Sequence, residues 1–161
     1  MYNFKDIIQR MMGARPKPAP VIDKNQSVVS GKHILVVDDI EVNRMIMVKI
    51  LTTLGAKCDT AVDGQDAVNK FERSQPGDYD LILMDIQMPN LNGYEATQAI
   101  RASSHPSAKS IAIVAMTANA FVDDVRKALE AGMDAHIPKP IVLDYFKNTI
   151  QDVLDRKAQG N

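Results

Sequence analysis

The sequence lacks the features that mark secreted and membrane proteins. Its single cysteine, Cys58, excludes an internal disulfide framework, because disulfides need cysteines in pairs. No apolar stretch approaches the roughly 20 residues that span a bilayer, and the N-terminus has no signal-peptide core. We therefore expect a cytoplasmic location, no transmembrane segment, and a Cys58 side chain that packs as a small buried hydrophobic group.

Net charge is also low, but charge is unevenly divided along the chain. The formal net charge is -1, and residues 1–32 hold six Lys or Arg against two Asp or Glu. Apolar residues recur there at helical spacing and predict a short amphipathic helix over residues 3–12. These are Phe4, Ile7, Ile8, Met11 and Met12. A Pro-rich linker follows, so we interpret residues 1–31 as an N-terminal arm.

The arm has two interpretations. Short helices are marginally stable alone, so the arm either frays or docks on the domain that follows. Alternatively, its apolar stripe binds a partner or a membrane surface. The remaining length suits one well-packed domain, which we place at residues 32–155, with a C-terminal tail at residues 156–161.

Four apolar segments downstream are each followed by polar or charged residues. Runs of this length between helix-like stretches predict strands of a parallel sheet that is buried on both faces. The polar residues are Asp38 and Asp39 after Ile34–Val37, Asp85 after Leu81–Met84, Thr117 after Ile111–Met116, and Lys139 after His136–Pro138. A further strand, second in chain order, is expected over residues 57–62.

Helical stretches alternate with these strands. Three predicted helices have clear apolar stripes, and two more are placed at residues 65–73 and 93–102. The stripes are Val42, Ile46, Ile50 and Leu54; Phe121, Val125, Ala128 and Leu129; and Leu143, Phe146, Ile150 and Val153. Strict alternation predicts an α/β fold: a (βα)5 doubly wound, five-stranded parallel sheet in the flavodoxin-like order 2-1-3-4-5.

In that order the polar residues meet at the edge of the sheet where ligands of such folds bind. Two carboxylates about 5 Å apart repel by roughly 3 kcal/mol at an effective dielectric near 20. A shared proton would relieve the repulsion, but hard oxygen ligands with open positions for water suit Mg²⁺. With Thr117 and Lys139 nearby, Asp85 is a candidate nucleophile toward a phosphoryl group.

Each residue also has a plain structural interpretation. Asp38 or Asp39 could cap the following helix, Thr117 could merely begin a loop, and Lys139 could be a solvated charge. Their joint occurrence after the first, third, fourth and fifth strands favours one common site.

At these residues the sequence resembles the receiver domain of two-component response regulators, from about residue 32 to residue 154. The matching motifs are Val36-Val37-Asp38-Asp39, Leu83-Met84-Asp85-Ile86-Gln87-Met88-Pro89 with Gly93, Ala115-Met116-Thr117-Ala118, and Ile137-Pro138-Lys139-Pro140. The resemblance implies that Asp85 is the phosphoacceptor and that Thr117 and Lys139 contact the phosphoryl group. It also implies a cis peptide bond between Lys139 and Pro140, a state that proline makes accessible.

The resemblance further implies Mg²⁺ as the cofactor. The implied ligands are Asp38, Asp39, Asp85 and the backbone carbonyl of Gln87. Of the acid pair, Asp39 is expected to bind the metal directly, whereas Asp38 holds a metal-bound water.

Segments 39–44 and 84–89 are most similar to receivers of hybrid histidine kinases. This implies a histidine kinase or a histidine phosphotransfer protein as the partner. Because the sequence shows no kinase core, ATP-binding segment or DNA-binding domain, we expect a lone receiver, or one cut from a larger protein. We expect no nucleic-acid partner. The expected protein is a signalling receiver that supports its own phosphotransfer and dephosphorylation, not an enzyme. A weak homodimer through the fourth helix, the fifth strand and the fifth helix is a further expectation.

The expected switch comprises Thr117 and His136, beside the face formed by the fourth and fifth strands. Many family members have Tyr or Phe where His136 stands, and that ring turns inward when the threonine moves. A histidine there either couples the switch to acidity or is a partly exposed imidazole without this role.

Other classes fit less well. A flavodoxin-like cofactor binder needs a phosphate-binding loop after the first strand, where Asp38 and Asp39 would repel phosphate. A phosphatase with an aspartate nucleophile has an acid where Gln87 stands. The open alternative is a pseudo-receiver, a protein-interaction module that is never phosphorylated.

Overall fold

The computed structural model describes residues 27–118 and 122–159, which contain five strands and five helices. The strands are β1 His33–Val37, β2 Lys57–Ala61, β3 Leu81–Asp85, β4 Ala112–Thr117 and β5 Ala135–Pro138. The helices are α1 Glu41–Thr53, α2 Gly64–Arg73, α3 Gly93–Ala102, α4 Val122–Ala131 and α5 Leu143–Ala158. The predicted arm helix over residues 3–12 and the predicted stripe residue Phe121 lie outside the described residues.

The strands form one parallel sheet in the order β2-β1-β3-β4-β5. The predicted (βα)5 architecture and strand order are therefore confirmed. The register places Asp85 beside Met116 and Thr117 beside Pro138, so β3, β4 and β5 end at the same edge. In the described part of the chain, no helix has the length and apolar character needed to cross a membrane.

Alternate residues of each central strand pack on opposite sides of the sheet, as the two-residue period of a strand requires. In β1, Leu35 and Val37 join the core cluster that contains Phe71 and Ile100. Ile34 joins the other cluster, beneath α1 and α5. The result is three layers, with the sheet between α2, α3 and α4 on one side and α1 and α5 on the other.

The predicted apolar stripe of α1 is wrong. Val42 and Ile46 are 59% and 54% exposed, whereas Met47 and Leu51 face the core. The reason is geometric: at 3.6 residues per turn, steps of four residues rotate by about 40° around the helix each time. A series at i+4 intervals therefore winds around the helix: it begins on the exposed face at Val42, and only its last member, Leu54, is buried.

Three smaller expectations also need correction. Leu129 of α4 is 55% exposed and Leu143 of α5 is 36% exposed, because Ala128 and Phe146 occupy the buried faces of their helices. Cys58 is half-buried instead of buried. Burial, with a smaller effect of the neighbouring carboxylate, raises the pKa of Cys58 to about 11, so the thiol stays protonated at neutral pH.

A network of charged groups joins the helices at the end of the sheet remote from Asp85. The half-buried Arg101 guanidinium donates to the carbonyls of Gly132 and Ile111 and to the Asp134 carboxylate. Asp134 also accepts from the backbone N–H of Ile113 and pairs with Lys157 at 3.0 Å. α3, α5 and β4 are thereby tied to the residue that precedes β5.

Removing the Phe146 side chain should destabilise the fold strongly. Phe146 is fully buried between the sheet and α5, and Phe→Ala substitutions in cores typically cost about 3–5 kcal/mol. The matched control is Tyr145→Ala, since Tyr145 is 45% exposed and surface changes usually stay within about 0.5 kcal/mol. Urea unfolding measures both values, and equal losses would contradict this description of the core.

Candidate functional site

The carboxyl ends of β1, β3, β4 and β5 bring the predicted site residues together. The Lys139 Nζ donates to Asp38 Oδ2 at 3.1 Å and to Asp85 Oδ1 at 3.3 Å. Asp38, Asp85 and Thr117 are buried. Lys139 is therefore not the solvated charge of the simpler interpretation, because its ammonium bridges residues that follow two different strands.

The three carboxylates form one compact cluster. Asp38, Asp39 and Asp85 each offer an oxygen, and these oxygens lie within 4.8 Å of one another. Asp39 is exposed, whereas the other two are buried. Hard carboxylate oxygens at this spacing, open to water on one side, match the donor set that Mg²⁺ uses. The residues present therefore fit the implied metal.

Burial and like charge shape the acid–base behaviour of the cluster. Burial raises the pKa of Asp85, and Asp38 and Asp39 add to the increase, while Lys139 opposes it. Burial alone would lower the pKa of Lys139, but Asp85 and Asp38 outweigh it and raise that pKa. Lys139 is therefore firmly protonated, and one ammonium faces more negative charge than it neutralises.

Asp38 is fixed by its own loop and does not cap α1. Its Oδ1 accepts from the N–H of Ile40 at 2.9 Å, in a local turn before the helix. Ile40 is the N-cap residue of α1, and no side chain caps that end. Arg44, which sequence reasoning missed, donates to the Asp38 carbonyl at 2.7 Å. The interpretation of Asp38 or Asp39 as a helix cap is therefore wrong.

Backbone contacts hold the other strand ends in register. The Lys139 N–H donates to the Thr117 carbonyl at 2.7 Å, and the Ile86 N–H donates to the Met116 carbonyl at 3.3 Å. The peptide bond between Lys139 and Pro140 is cis, as expected. These contacts set the positions of Asp85, Thr117 and Lys139 relative to one another through the main chain.

Gly93 allows α3 to begin against the backbone of Asp85. A Cβ at Gly93 would lie 2.3 Å from the Asp85 carbonyl oxygen, and its N–H donates to the Ile86 carbonyl at 2.9 Å. The side chains of Asn92 and Glu95 complete a capping box at this helix start. The glycine in the motif is thus explained by a close approach of two backbones.

An open cleft of about 520 Å³ lies beside the carboxylates, and Asp39, Gln87 and Thr117 line it. Gln87, whose backbone carbonyl is an implied metal ligand, is exposed. His136 lies elsewhere: it is half-buried and lines a shallow pocket with Tyr145 of α5. The structure thus brings the predicted metal-binding and phosphoryl-contacting residues together, whereas His136 lies outside the cleft.

Comparison with known proteins agrees with this arrangement. The family model of the response regulator receiver domain matches residues 34–151. The sensor histidine kinase RcsC of Salmonella typhimurium is 37% identical over 137 residues, which are 85% of this chain and 14% of that protein.

Solved receiver structures are also similar. The receiver domain of sensor histidine kinase PA1611 from Pseudomonas aeruginosa, with a magnesium ion coordinated in its active-site cleft, is 36% identical with a TM-score of 0.69. The alignment covers 78% of this chain and 99% of that one. The receiver domain of Saccharomyces cerevisiae Ssk1, solved with the histidine phosphotransfer protein Ypd1, gives 30% identity and a TM-score of 0.67. It covers 81% of this chain and 93% of the other.

The chain belongs to the response regulator receiver family. It is a receiver domain of two-component and phosphorelay signalling, similar to those of hybrid histidine kinases. It spans about one seventh of the length of the sensor kinase RcsC, of which it matches 14%.

Magnesium should stabilise the native chain against heat. A ligand at 100 times its dissociation constant adds about 2.7 kcal/mol to the free energy of unfolding when it binds only the folded state. Asp39→Asn should lose most of this gain, because it removes one carboxylate from the cluster. Glu41→Gln, which removes a charge from an exposed acid outside the cluster, should keep it.

Thermal unfolding with Mg²⁺ and with a chelator measures the effect. Equal stabilisation of the native chain and Asp39→Asn would contradict the assignment of the metal site.

Proposed function

We propose that Asp85 accepts a phosphoryl group from a phosphohistidine of a histidine kinase or histidine phosphotransfer protein. The main support is the Lys139 ammonium, which bridges Asp38 and Asp85 at 3.1 and 3.3 Å. Asp39, which belongs to the same carboxylate cluster, lines an open cleft together with Thr117. A nucleophile, a counter-charge and room for a phosphoryl group are thus present together.

In the proposed reaction, an Asp85 carboxylate oxygen forms a bond to phosphorus while the phosphorus–nitrogen bond of the donor breaks. The electron pair of that bond leaves with the donor imidazole, which departs neutral when its other nitrogen carries a proton. The product is an aspartyl phosphate. Phosphoryl transfer depends mainly on positioning and on charge stabilisation, which this rigid set of strand ends supplies.

Lys139 and Thr117 are the proposed phosphoryl contacts. The raised pKa of Lys139 keeps the ammonium charged, so it can move from Asp85 to an oxygen of the incoming group. Thr117 ends β4 at the wall of the cleft, where its hydroxyl can donate to another oxygen. Mg²⁺, held by Asp38, Asp39, Asp85 and the Gln87 carbonyl, would neutralise charge on the phosphoryl oxygens.

Output would follow from movement at the face formed by β4 and β5. Thr117 and His136 are the proposed switch residues, and a weak homodimer through α4, β5 and α5 is part of the same proposal. We assign the receiver to residues 32–155, in the cytoplasm, and its only proposed turnover is its own phosphorylation and dephosphorylation. Whether it acts alone or within a hybrid histidine kinase, the residues of this chain would do the same chemistry.

Intact mass after incubation with acetyl phosphate and Mg²⁺ tests the phosphoacceptor. The native chain should gain one phosphoryl group, because the small phosphodonor replaces the protein histidine. Asp85→Asn and a chelator should each abolish the gain. Asp80→Asn is the matched control, since it also removes a carboxylate at one end of β3 but far from the cluster.

A native chain that stays unlabelled, while a known receiver is labelled in parallel, would overturn the proposal. The chain would then be a pseudo-receiver that binds partners without phosphorylation.

The His136 switch has its own test. If the imidazole couples the switch to acidity, phosphorylation-dependent partner binding should change with pH. His136→Tyr should remove that pH dependence and keep the phosphorylation dependence. An unchanged pH profile in the variant would leave His136 as a partly exposed imidazole without this role.

A further inference from the structure

An open apolar groove separates α1 from the segment before α5. It encloses about 580 Å³, and its lining includes Ile46, Met47 and Ile50 from α1, together with Ile141 and the floor residue Met116. Asp38 and Lys139 form its polar end. The open cleft lined by Asp39, Gln87 and Thr117 is a different cavity.

Exposed apolar side chains lie on α1, which lines one side of the groove, and directly after Ile141, which lines the other. Val42, Met45 and Ile46 on α1 are 59%, 63% and 54% exposed, and Val142 at the start of α5 is 63% exposed. Val42, Met45 and Ile46 stand at i, i+3 and i+4 and so share one face of α1, and exposed apolar residues grouped in this way favour an interaction site. None of these side chains is among the residues proposed to hold the metal or to contact the phosphoryl group.

We propose that residues 3–12 of the chain's own N-terminal arm bind in this groove as a short amphipathic helix. Phe4, Ile7, Ile8 and Met11 stand at i, i+3, i+4 and i+7, which is the anchor spacing of a helix that binds in an apolar groove. The proposal concerns the unphosphorylated chain and does not depend on the proposed phosphoacceptor role.

The described chain begins on the same face of the sheet as the groove. Val29 is fully buried in the core cluster that contains Met47 and Phe146. The Gly31 N–H donates to the Gly55 carbonyl, which places this entry point at the end of α1. From Gly55 back to Ile46 is about 14 Å along a helix with a rise of 1.5 Å per residue.

The connecting segment, residues 13–26, is long enough for this path. Fully extended, it reaches about 46 Å at roughly 3.3 Å per residue. A tether of this kind gives the arm an effective concentration in the millimolar range. Because the arm is tethered, it would occupy the groove even if a free peptide of the same sequence bound too weakly to do so. Binding would also stabilise the helix of residues 3–12, which is too short to be stable alone.

Net charge adds a weak attraction between the arm and the domain. Residues 1–32 carry a net +4, from six basic and two acidic residues, while the remainder of the chain carries -5, from 13 basic and 18 acidic residues. The apolar anchors supply the specificity, since both signs of charge occur around the groove.

Methyl NMR of the full chain tests the contact by means of a substitution in the arm. Ile8→Asp should shift the methyl resonances of Ile46, Met47 and Ile141, because it places a charge in the apolar stripe. Gln9→Asp adds the same charge on the polar side and should leave these resonances in place. Unchanged groove resonances in Ile8→Asp would overturn the proposal.

Amide hydrogen exchange tests the same contact by means of a substitution in the groove. Ile46→Asp should reduce the protection of residues 3–12 by about tenfold or more, as expected when a docked segment is released. Val62→Asp is the control, because Val62 is a 50% exposed apolar residue of the β2–α2 connection. Equal protection in both variants would refute the contact.

Dilution distinguishes binding of the chain's own arm from binding of a second copy of the chain. Groove resonances and arm protection that do not change with protein concentration support binding within one chain. Groove resonances that change on dilution would show that a second copy fills the groove instead and would overturn the proposal. None of these measurements uses phosphorylation, so their failure is distinguishable from failure of the phosphoacceptor assignment.

Discussion

Negative charge concentrated at the carboxyl edge of the sheet is the constraint on which the site depends. Carboxylate oxygens of Asp38, Asp39 and Asp85 lie within 4.8 Å of one another, and a pair of such charges repels by roughly 3 kcal/mol at an effective dielectric near 20. The sheet imposes this proximity, because burial of the apolar strands fixes where the strand ends lie. Lys139 relieves part of the repulsion, and a divalent cation would relieve the rest.

Main-chain contacts, together with burial of the strands, set the geometry of this edge. The Lys139 N–H and the Thr117 carbonyl join two strand ends, and Gly93 lets α3 approach the Asp85 carbonyl directly. The Asp85 and Thr117 side chains, which are short, therefore project from anchored backbone. Such preorganisation lowers the cost of forming the charge-rich arrangement that phosphoryl transfer requires.

The sequence was informative where the physical signal was local and periodic. Buried parallel strands produce continuous apolar runs, so the strand order and the meeting of Asp38, Asp85, Thr117 and Lys139 could be predicted. The buried face of α1 could not, because most of its residues are apolar and the four-residue series alone does not indicate which side meets the sheet.

Contacts between distant residues were also missed. The hydrogen bond from Arg44 to the Asp38 carbonyl joins residues that are six positions apart in the sequence. The bond from Arg101 to Asp134 joins residues that are 33 positions apart. Neither leaves a periodic trace in the chain. The network around Asp134 gives the domain two polar ends with separate tasks, since Arg101 and Lys157 pair with the Asp134 carboxylate, whereas the single Lys139 ammonium faces three carboxylates at the acidic edge. A sequence change around Asp134 would alter how firmly the helices are tied and leave the acidic edge in place, so the stability of the scaffold and the composition of the site can vary independently.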